Sequence, residues 1–413
     1  MKTRGAWSVA LTVVLSSVAV VGFASTGTAS SPTTDPAEAA RFGAGWLARQ
    51  ARADGSFQLL SNTYSDTATA ALALAAAGVA QTQFQSAVTY LHDHVSDFLA
   101  AGGDDDPGSL GLVIMAAVAG GQDPSNFNGH DLVATLKATR DKKAPGLYGS
   151  GDPAFDGATR QSLALMGLAA AGTTDAPAVQ WLQTQQCPDK GWQAYRTDTN
   201  APCQATDLST FSGEDTNSTA VATEALRAQS ATPPHGNPLD WLKGAQNPDG
   251  GFGVLIGTAT DANSTGLVSQ AIVAGGENAI QGRWVTAKGS TPDSALLALQ
   301  IGCEGAASDR GAFAFQPDQS GNLKANGYAT AQATPGVASK PFPLGASTPA
   351  QGAPAVNCSA ATTTTTVGTT TTAVRTAVTS PPSGSAAVGA VNAVTTGATP
   401  VATPVSATPS FTG

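Results

Sequence analysis

The chain has 413 residues, a formal net charge of −9, and only 12% charged and 6% aromatic residues. It has no block of Lys or Arg, which excludes nucleic acid as an expected partner, because nucleic acid is held through clustered basic side chains. Beyond the N-terminus no apolar run reaches the ~20 residues of a membrane-spanning helix, so the mature chain is expected to carry no such segment.

Residues 1–30 have the form of a secretory signal peptide. Lys2 and Arg4 supply the charged start, Val9 to Val21 the apolar segment, and Gly27-Thr28-Ala29 the small residues at which cleavage occurs. Between residues 36 and 340 a motif recurs with a long period. Trp181-Leu182, Gln186 and Gly191-Trp192 are spaced identically to Trp241-Leu242, Gln246 and Gly251-Phe252. Trp46-Leu47, Gln50, Gly55 and Phe57 form a third copy shifted by one residue. Each copy leads through a polar stretch into an Ala- and Leu-rich run. A period of this size predicts an array of like units.

Six units are expected. The first carries Trp46 to Gly55, then Asp66 and the run Thr67 to Ala77. The second begins near Tyr90-Leu91 and continues with Leu110 to Ala119. The third uses Leu132 and Leu136, then Asp156 and Ser162 to Ala171. The fourth runs from Trp181 to Leu226 and the fifth from Trp241 to Ala274. The sixth has Trp284-Val285, the run Ser294 to Gln300, and an irregular end near Tyr328 to Ala333. The second helix of each unit is apolar all round, which predicts burial on every side. Six outer and six inner helices then close into a double ring.

The polar stretches begin Asp66-Thr67, Asp156-Gly157, Asp215-Thr216 and Asp261-Ala262, with Pro292-Asp293-Ser294 in unit six. Asp at such a place caps a helix N-terminus. If the inner helices run in parallel, these carboxylates gather at one mouth of the central cavity. There a ring of Asp would favour a cationic or hydroxyl-rich ligand or a metal ion. Tyr64, Tyr148 and Tyr195 lie in the loops beside them. Asp66, Asp156, Asp215, Asp261 and these three tyrosines are the candidate ligand contacts. Asn217-Ser218-Thr219, Asn263-Ser264-Thr265 and Asn357-Cys358-Ser359 match the glycosylation sequon, though the first two sit where caps are expected.

Four cysteines in an exported chain predict two disulfides, and three pairings exist. Cys187 with Cys203 is favoured because it ties off the long loop inside one unit. Cys303 with Cys358 would then fasten the start of the tail. No Cys-x-x-Cys pair suggests zinc, and no cofactor is expected. From 341 to 413 the composition is Thr, Ala, Val, Pro, Ser and Gly, which predicts a low-complexity disordered tail. Its ending, Pro409-Ser410-Phe411-Thr412-Gly413, loosely resembles the sorting signal of wall-anchored bacterial proteins, without the hydrophobic segment and basic tail that follow in such signals.

The Trp-Leu-x-x-x-Gln-x-x-x-x-Gly-Phe/Trp unit resembles the repeat of the squalene cyclase and prenyltransferase superfamily. That resemblance implies an all-α fold, the α/α toroid. It also implies structural roles for Gln50, Gln186 and Gln246, which would bridge to a neighbouring helix end, and for Trp192, Phe57 and Phe252. The activities of that superfamily ask for more. Its cyclases use an Asp-x-Asp-Asp acid, whereas the acidic cluster here is Asp104-Asp105-Asp106 in a Gly-rich loop. Its protein prenyltransferases hold zinc through an Asp-x-Cys pair, which this chain lacks. Thioester domains of the same fold carry Gly-Cys-Gly-Glu-Gln, from which Gly302-Cys303-Glu304-Gly305 departs. The cobalamin carriers, non-enzymatic relatives, add a β domain for which the tail offers no sequence. The expectation is therefore a secreted or wall-associated toroid that binds a ligand or partner at its mouth without catalysis. The alternatives are a cyclase- or prenyltransferase-type enzyme, or a carbohydrate-active toroid using Glu214 or Glu224 with the Asp ring.

Overall fold

The computed structural model describes residues 32–358, apart from residues 61, 142–143, 153–154 and 197. Residues 1–31, which include the expected signal peptide, and residues 359–413, including the wall-anchor-like ending, lie outside the described residues. The described chain is helical, with isolated β-bridges and no strand.

The helices are α1 (Pro36–Ala48), α2 (Thr63–Ala77), α3 (Gln81–Asp93), α4 (Val95–Ala100), α5 (Pro107–Ala119), α6 (Leu132–Ala138), α7 (Ala158–Ala170), α8 (Ala176–Thr184), α9 (Thr216–Ala228), α10 (Pro238–Ala245), α11 (Ala262–Ala274), α12 (Pro292–Ala298) and α13 (Gly327–Val337). Contacts run in a closed circuit. Helix α2 packs on α5, α5 on α7, α7 on α9, α9 on α11, α11 on α13, and α13 back on α2. These six form the inner ring. The outer layer is α1, α3 with α4, α6, α8, α10 and α12, and α1 closes it by touching α12 and α13. This is an α/α toroid, as the repeat predicts.

Small residues set the inner spacing. A Cβ on Gly111 would lie 2.3 Å from Leu163 O, and one on Gly266 would lie 2.5 Å from Gln332 O. Glycine there brings the backbones of α5 and α7, and of α11 and α13, into direct contact. Leu72, Leu74, Ile114, Leu165, Leu226 and Ile272 fill the space between the rings and are fully buried.

A second regularity ties each loop to its inner helix. The backbone N–H of Phe57 donates to Thr67 Oγ1 at 2.9 Å, Trp192 to Thr219 at 2.9 Å, Phe252 to Thr265 at 3.0 Å and Phe313 to Thr330 at 2.9 Å. Tyr148 uses Gln161 Oε1 instead, at 2.9 Å. The repeat glutamines join neighbouring units. Gln186 Nε2 donates to Lys190 O and Gly236 O, and Gln246 Nε2 to Gly250 O and Trp284 O. Among the described residues the side chain of Gln50 makes a local hydrogen bond only, to Trp46 O at 3.4 Å.

Two boundaries differ from the sequence expectation. The run Ser294 to Gln300 was expected in the inner ring, but it belongs to outer helix α12, and α13 is the sixth inner helix. Gln300 is the repeat glutamine of that unit, donating to Gly311 O and across the ring closure to Ala39 O. Ala295 stands where the motif has Trp, which hid the match. Asp293 consequently caps nothing in the inner ring. The N-cap of α12 is Thr291, in a reciprocal capping box with Ser294. The low-complexity composition from 341 likewise does not mark the end of ordered contacts. Residues 341–358 form a strap across the C-terminal ends of the inner helices. Phe342 N–H donates to Glu224, Ser347 N–H to Ala119 O, and Ala350 N–H to Gly78 O. The strap gains its order from these hydrogen bonds together with Phe342 and Leu344, which pack against the core. The Cys303–Cys358 disulfide fastens its end, and Cys187–Cys203 closes the loop of unit four.

Candidate functional site

The inner-helix N-termini converge at one end of the ring. Ser65 and Ser109 hydroxyls meet at 2.6 Å between α2 and α5, and Thr159 meets Ser218 at 3.2 Å between α7 and α9. Five of the six N-termini carry a side-chain cap: Asn62, Asp106, Asp215, Asp261 and Asn326. Helix α7 starts at Gly157 with none. Asp106, the last residue of the acidic cluster in the Gly-rich loop, is thus a cap of the same ring.

The four predicted aspartates are all buried, and their oxygens are directed at backbone donors. Asp66 Oδ2 accepts from Leu59 and Leu60 N–H, each at 2.8 Å. Asp156 Oδ2 accepts from Ser150 N–H at 2.7 Å. Asp215 Oδ1 accepts from Ser218 N–H at 2.6 Å and Asp261 Oδ1 from Ser264 N–H at 2.7 Å. Burial pushes Asp215 up to about 6 and Asp261 up to about 7, against the pull of those N–H groups. Asp261 therefore holds its proton for part of the time near neutral pH, whereas Asp215 is mostly ionised there.

A cavity of about 90 Å³ opens at the mouth between α2, α9, α11 and α13. Leu59, Leu60, Val254 and Phe315 form its apolar wall, and Asn217, Asp261, Asn263, Ser264, Asn326 and Tyr328 its polar groups. Of the seven candidate contacts, Asp261 lines it. Tyr64 turns toward the outer layer, its ring 5.3 Å from Phe98 and 6.1 Å from Tyr90. Tyr148 is fully buried and donates to Asp175, which also takes Arg140. Tyr195 lines a separate cavity on the outer wall.

One polar chain organises the mouth. Asn263 Nδ2 donates to Gln332 Oε1 at 2.7 Å, and Gln332 Nε2 donates to Tyr328 Oη at 3.0 Å. Tyr328 accepts there, so its own proton is available to a ligand. Burial and the nearby Asp66 charge push its hydroxyl up to about 12, which keeps it a donor. Asn263 Oδ1 is buried without a partner among the described residues, an acceptor at the same place. Asn326 and Tyr328 escaped the sequence reading although a signal existed. Asn326 precedes Thr330 by four residues, as Asp215 precedes Thr219 and Asp261 precedes Thr265.

Among the described residues the one cluster with metal-ligating atoms close together is Cys187, Cys203 and Glu214, whose sulfurs are joined in the disulfide. Glu214 is buried, and burial with the neighbouring Asp189 pushes it up to about 8. Glu224 lies at the opposite end of the ring beneath the strap, so the two candidate glutamates are not brought together at the mouth.

No protein-family model matches the chain, and no curated protein matches it. Solved structures resemble it weakly. A protein from Actinoplanes is 17% identical, covers 74% of this chain and 99% of its own, and superposes with a TM-score of 0.43. A type II terpene cyclase from Scytonema is 12% identical over 74% of this chain and 96% of its own, with a TM-score of 0.46. A glycosidase is 12% identical over 73% of this chain and 95% of its own, with a TM-score of 0.37. No helix among the described residues is long and apolar enough to cross a membrane.

Proposed function

We propose that the protein is an exported, wall-associated toroid that captures a small uncharged ligand bearing hydroxyl groups at the mouth of its ring, and does no chemistry on it. The observation that carries this reading is the division of labour among the mouth's polar groups. The aspartates are spent on backbone N–H groups, while an amide with an unpartnered oxygen (Asn263) and a phenol donor (Tyr328) line a cavity with an apolar wall. Such a set suits a neutral hydroxylated molecule with an apolar face better than a cation.

A catalytic alternative rests on Asp261. It borders the cavity and holds its proton for much of the time near neutral pH, so it has the acidity of a general acid. Its two oxygens both accept from Ser264, which argues for capping instead.

The test is thermal unfolding and calorimetry on the oxidised mature chain with neutral sugars and polyols, hydroxylated isoprenoids, corrinoids and calcium. A ligand at a hundred times its Kd stabilises by ~2.7 kcal/mol. The expected result is stabilisation by one neutral hydroxylated class, lost in Tyr328→Phe and Asn263→Leu. Stabilisation by calcium alone, or conversion of the bound ligand to a product, would overturn the proposal.

A further inference from the structure

Three copies of the repeat place a tryptophan in the last turns of an outer helix: Trp46 in α1, Trp181 in α8 and Trp241 in α10. In two of them the loop of the preceding unit closes over the ring. Trp46 is 7% exposed and its indole N–H donates to Ser308 O at 2.9 Å. Trp241 is 8% exposed and lies against Gly191, where an added Cβ would come within 2.8 Å of the indole. Trp181 differs. It is half-buried, and the preceding loop at Gly146 approaches its Cβ. Beside it a cavity of about 220 Å³ opens, bounded also by Leu147, Gln185, Tyr195, Arg196 and Thr199.

The base of this cavity is polar in a way the repeat does not require. Gln185 is 3% exposed and its Oε1 has no hydrogen-bond partner among the described residues. Arg49 and Ala245 precede the repeat glutamine in the other two copies, so Gln185 is no part of the shared scaffold. A buried amide oxygen is costly to leave unpaired, which makes a partner with an O–H or N–H donor favourable there. The walls are held in place. Arg196 donates to Gln185 O and Gln186 O at the end of α8 and to Thr199 O and Ala201 O across the loop, and Tyr195 Oη donates to Gly151 O at 3.4 Å. Arg196 is thus engaged by neutral carbonyls, and its role is to fix the loop.

We propose that this cavity is a second ligand site, independent of the mouth, that takes one neutral sugar ring, with its C–H face against Trp181 and a hydroxyl donating to Gln185 Oε1. The indole face is electron-rich and attracts the polarised C–H groups of a pyranose. The buried acceptor supplies the directional contact.

The test is titration of the oxidised mature chain with glucose, galactose, mannose and N-acetylglucosamine, and with cellotetraose and chitotetraose, read by tryptophan fluorescence and calorimetry. Co-pelleting with insoluble cellulose and chitin distinguishes a surface polymer from a soluble glycan as the source. The expected result is saturable binding of at least one sugar, weakened at least tenfold in Gln185→Met and unchanged in Gly244→Ala, which meets no atom within 4 Å and lines neither cavity. Trp181→Phe, which keeps a ring but removes the indole, gives the same reading where Gln185→Met lowers the Tm. No saturable signal with any of these sugars, or binding that survives both substitutions at the outer wall, would overturn the proposal. Loss of binding in Tyr328→Phe would place the sugar at the mouth and overturn it equally.

Discussion

Phe342 N–H donates to Glu224 Oε2 at 2.9 Å, joining the strap that follows the last helix to a carboxyl buried in the inner ring. Burial pushes Glu224 up to about 8, with the Phe342 N–H acting in the opposite direction. Glu214 stands at about 8, and Asp215, Asp261 and Asp293 at about 6, 7 and 7, all raised first by burial. Each of these groups binds a proton more tightly folded than unfolded. The stability they contribute is complete below their unfolded values near 4 and is lost as pH rises through the folded ones. The protein is therefore expected to be more stable at pH 5 than at pH 8.5. Glu224→Gln keeps an acceptor for Phe342 and should remove on the order of 2 kcal/mol of that decline. Chemical denaturation at the two pH values, with and without the substitution, measures it. A decline of equal size in the variant would show that Glu224 does not contribute.

Thr219→Val tests the tie between loop and inner helix. Valine matches the shape of threonine but leaves the buried N–H of Trp192 without its acceptor. The expected cost is about 1–3 kcal/mol, and Thr265→Val beneath Phe252 should behave alike. Urea midpoints at constant m-value report it.

The two disulfides should differ in weight. In the chain-entropy model the bridge spanning 55 residues, Cys303–Cys358, contributes roughly 4 kcal/mol and the one spanning 16, Cys187–Cys203, roughly 3. Replacing each pair by serine and comparing Tm values checks the order. The first replacement should also increase proteolysis between 341 and 358, and the second should not.

Glycines on the inner ring and on the outer layer are expected to respond in opposite directions. Gly266→Ala places a Cβ 2.5 Å from Gln332 O, so α11 and α13 must separate, at a cost of several kcal/mol on the order of other overpacked cores. Gly244→Ala, in α10, meets no atom within 4 Å and should stabilise by up to about 1 kcal/mol. Far-UV circular dichroism melts of the two variants decide the matter.

The toroid was legible because its signals are local and repeated. Trp-Leu-x-x-x-Gln marks an outer helix at Trp181 and Trp241, and the Asp-Thr or Asp-Ala steps mark inner N-termini at Asp215 and Asp261. Where the tryptophan gave way to Ala295, the layer was misassigned. The mouth was legible only in part. A carboxylate read from sequence says nothing of where its oxygens are spent, and at Asp66 and Asp156 they turn back onto their own loops. Asn326 and Tyr328 reach the cavity through ring closure, a relationship between positions that are far apart in the chain. The strap was invisible to composition because a few backbone hydrogen bonds, the disulfide and two apolar side chains, Phe342 and Leu344, suffice to hold a segment otherwise rich in small residues.

The closure of the ring between α1 and the α12–α13 unit also sets an order of events. Trp46 and Ala39 find their partners at Ser308 and Gln300, more than 260 residues later. The first of the described helices thus waits for nearly the last. Until residue 337 is present, the faces that α2 and α11 turn to α13 have no neighbour, and a truncated chain is a broken circle with two raw ends instead of a smaller protein. A chain built this way matures all at once. Its folding is then a single late event, triggered by the arrival of its last helix, instead of a growth from one end.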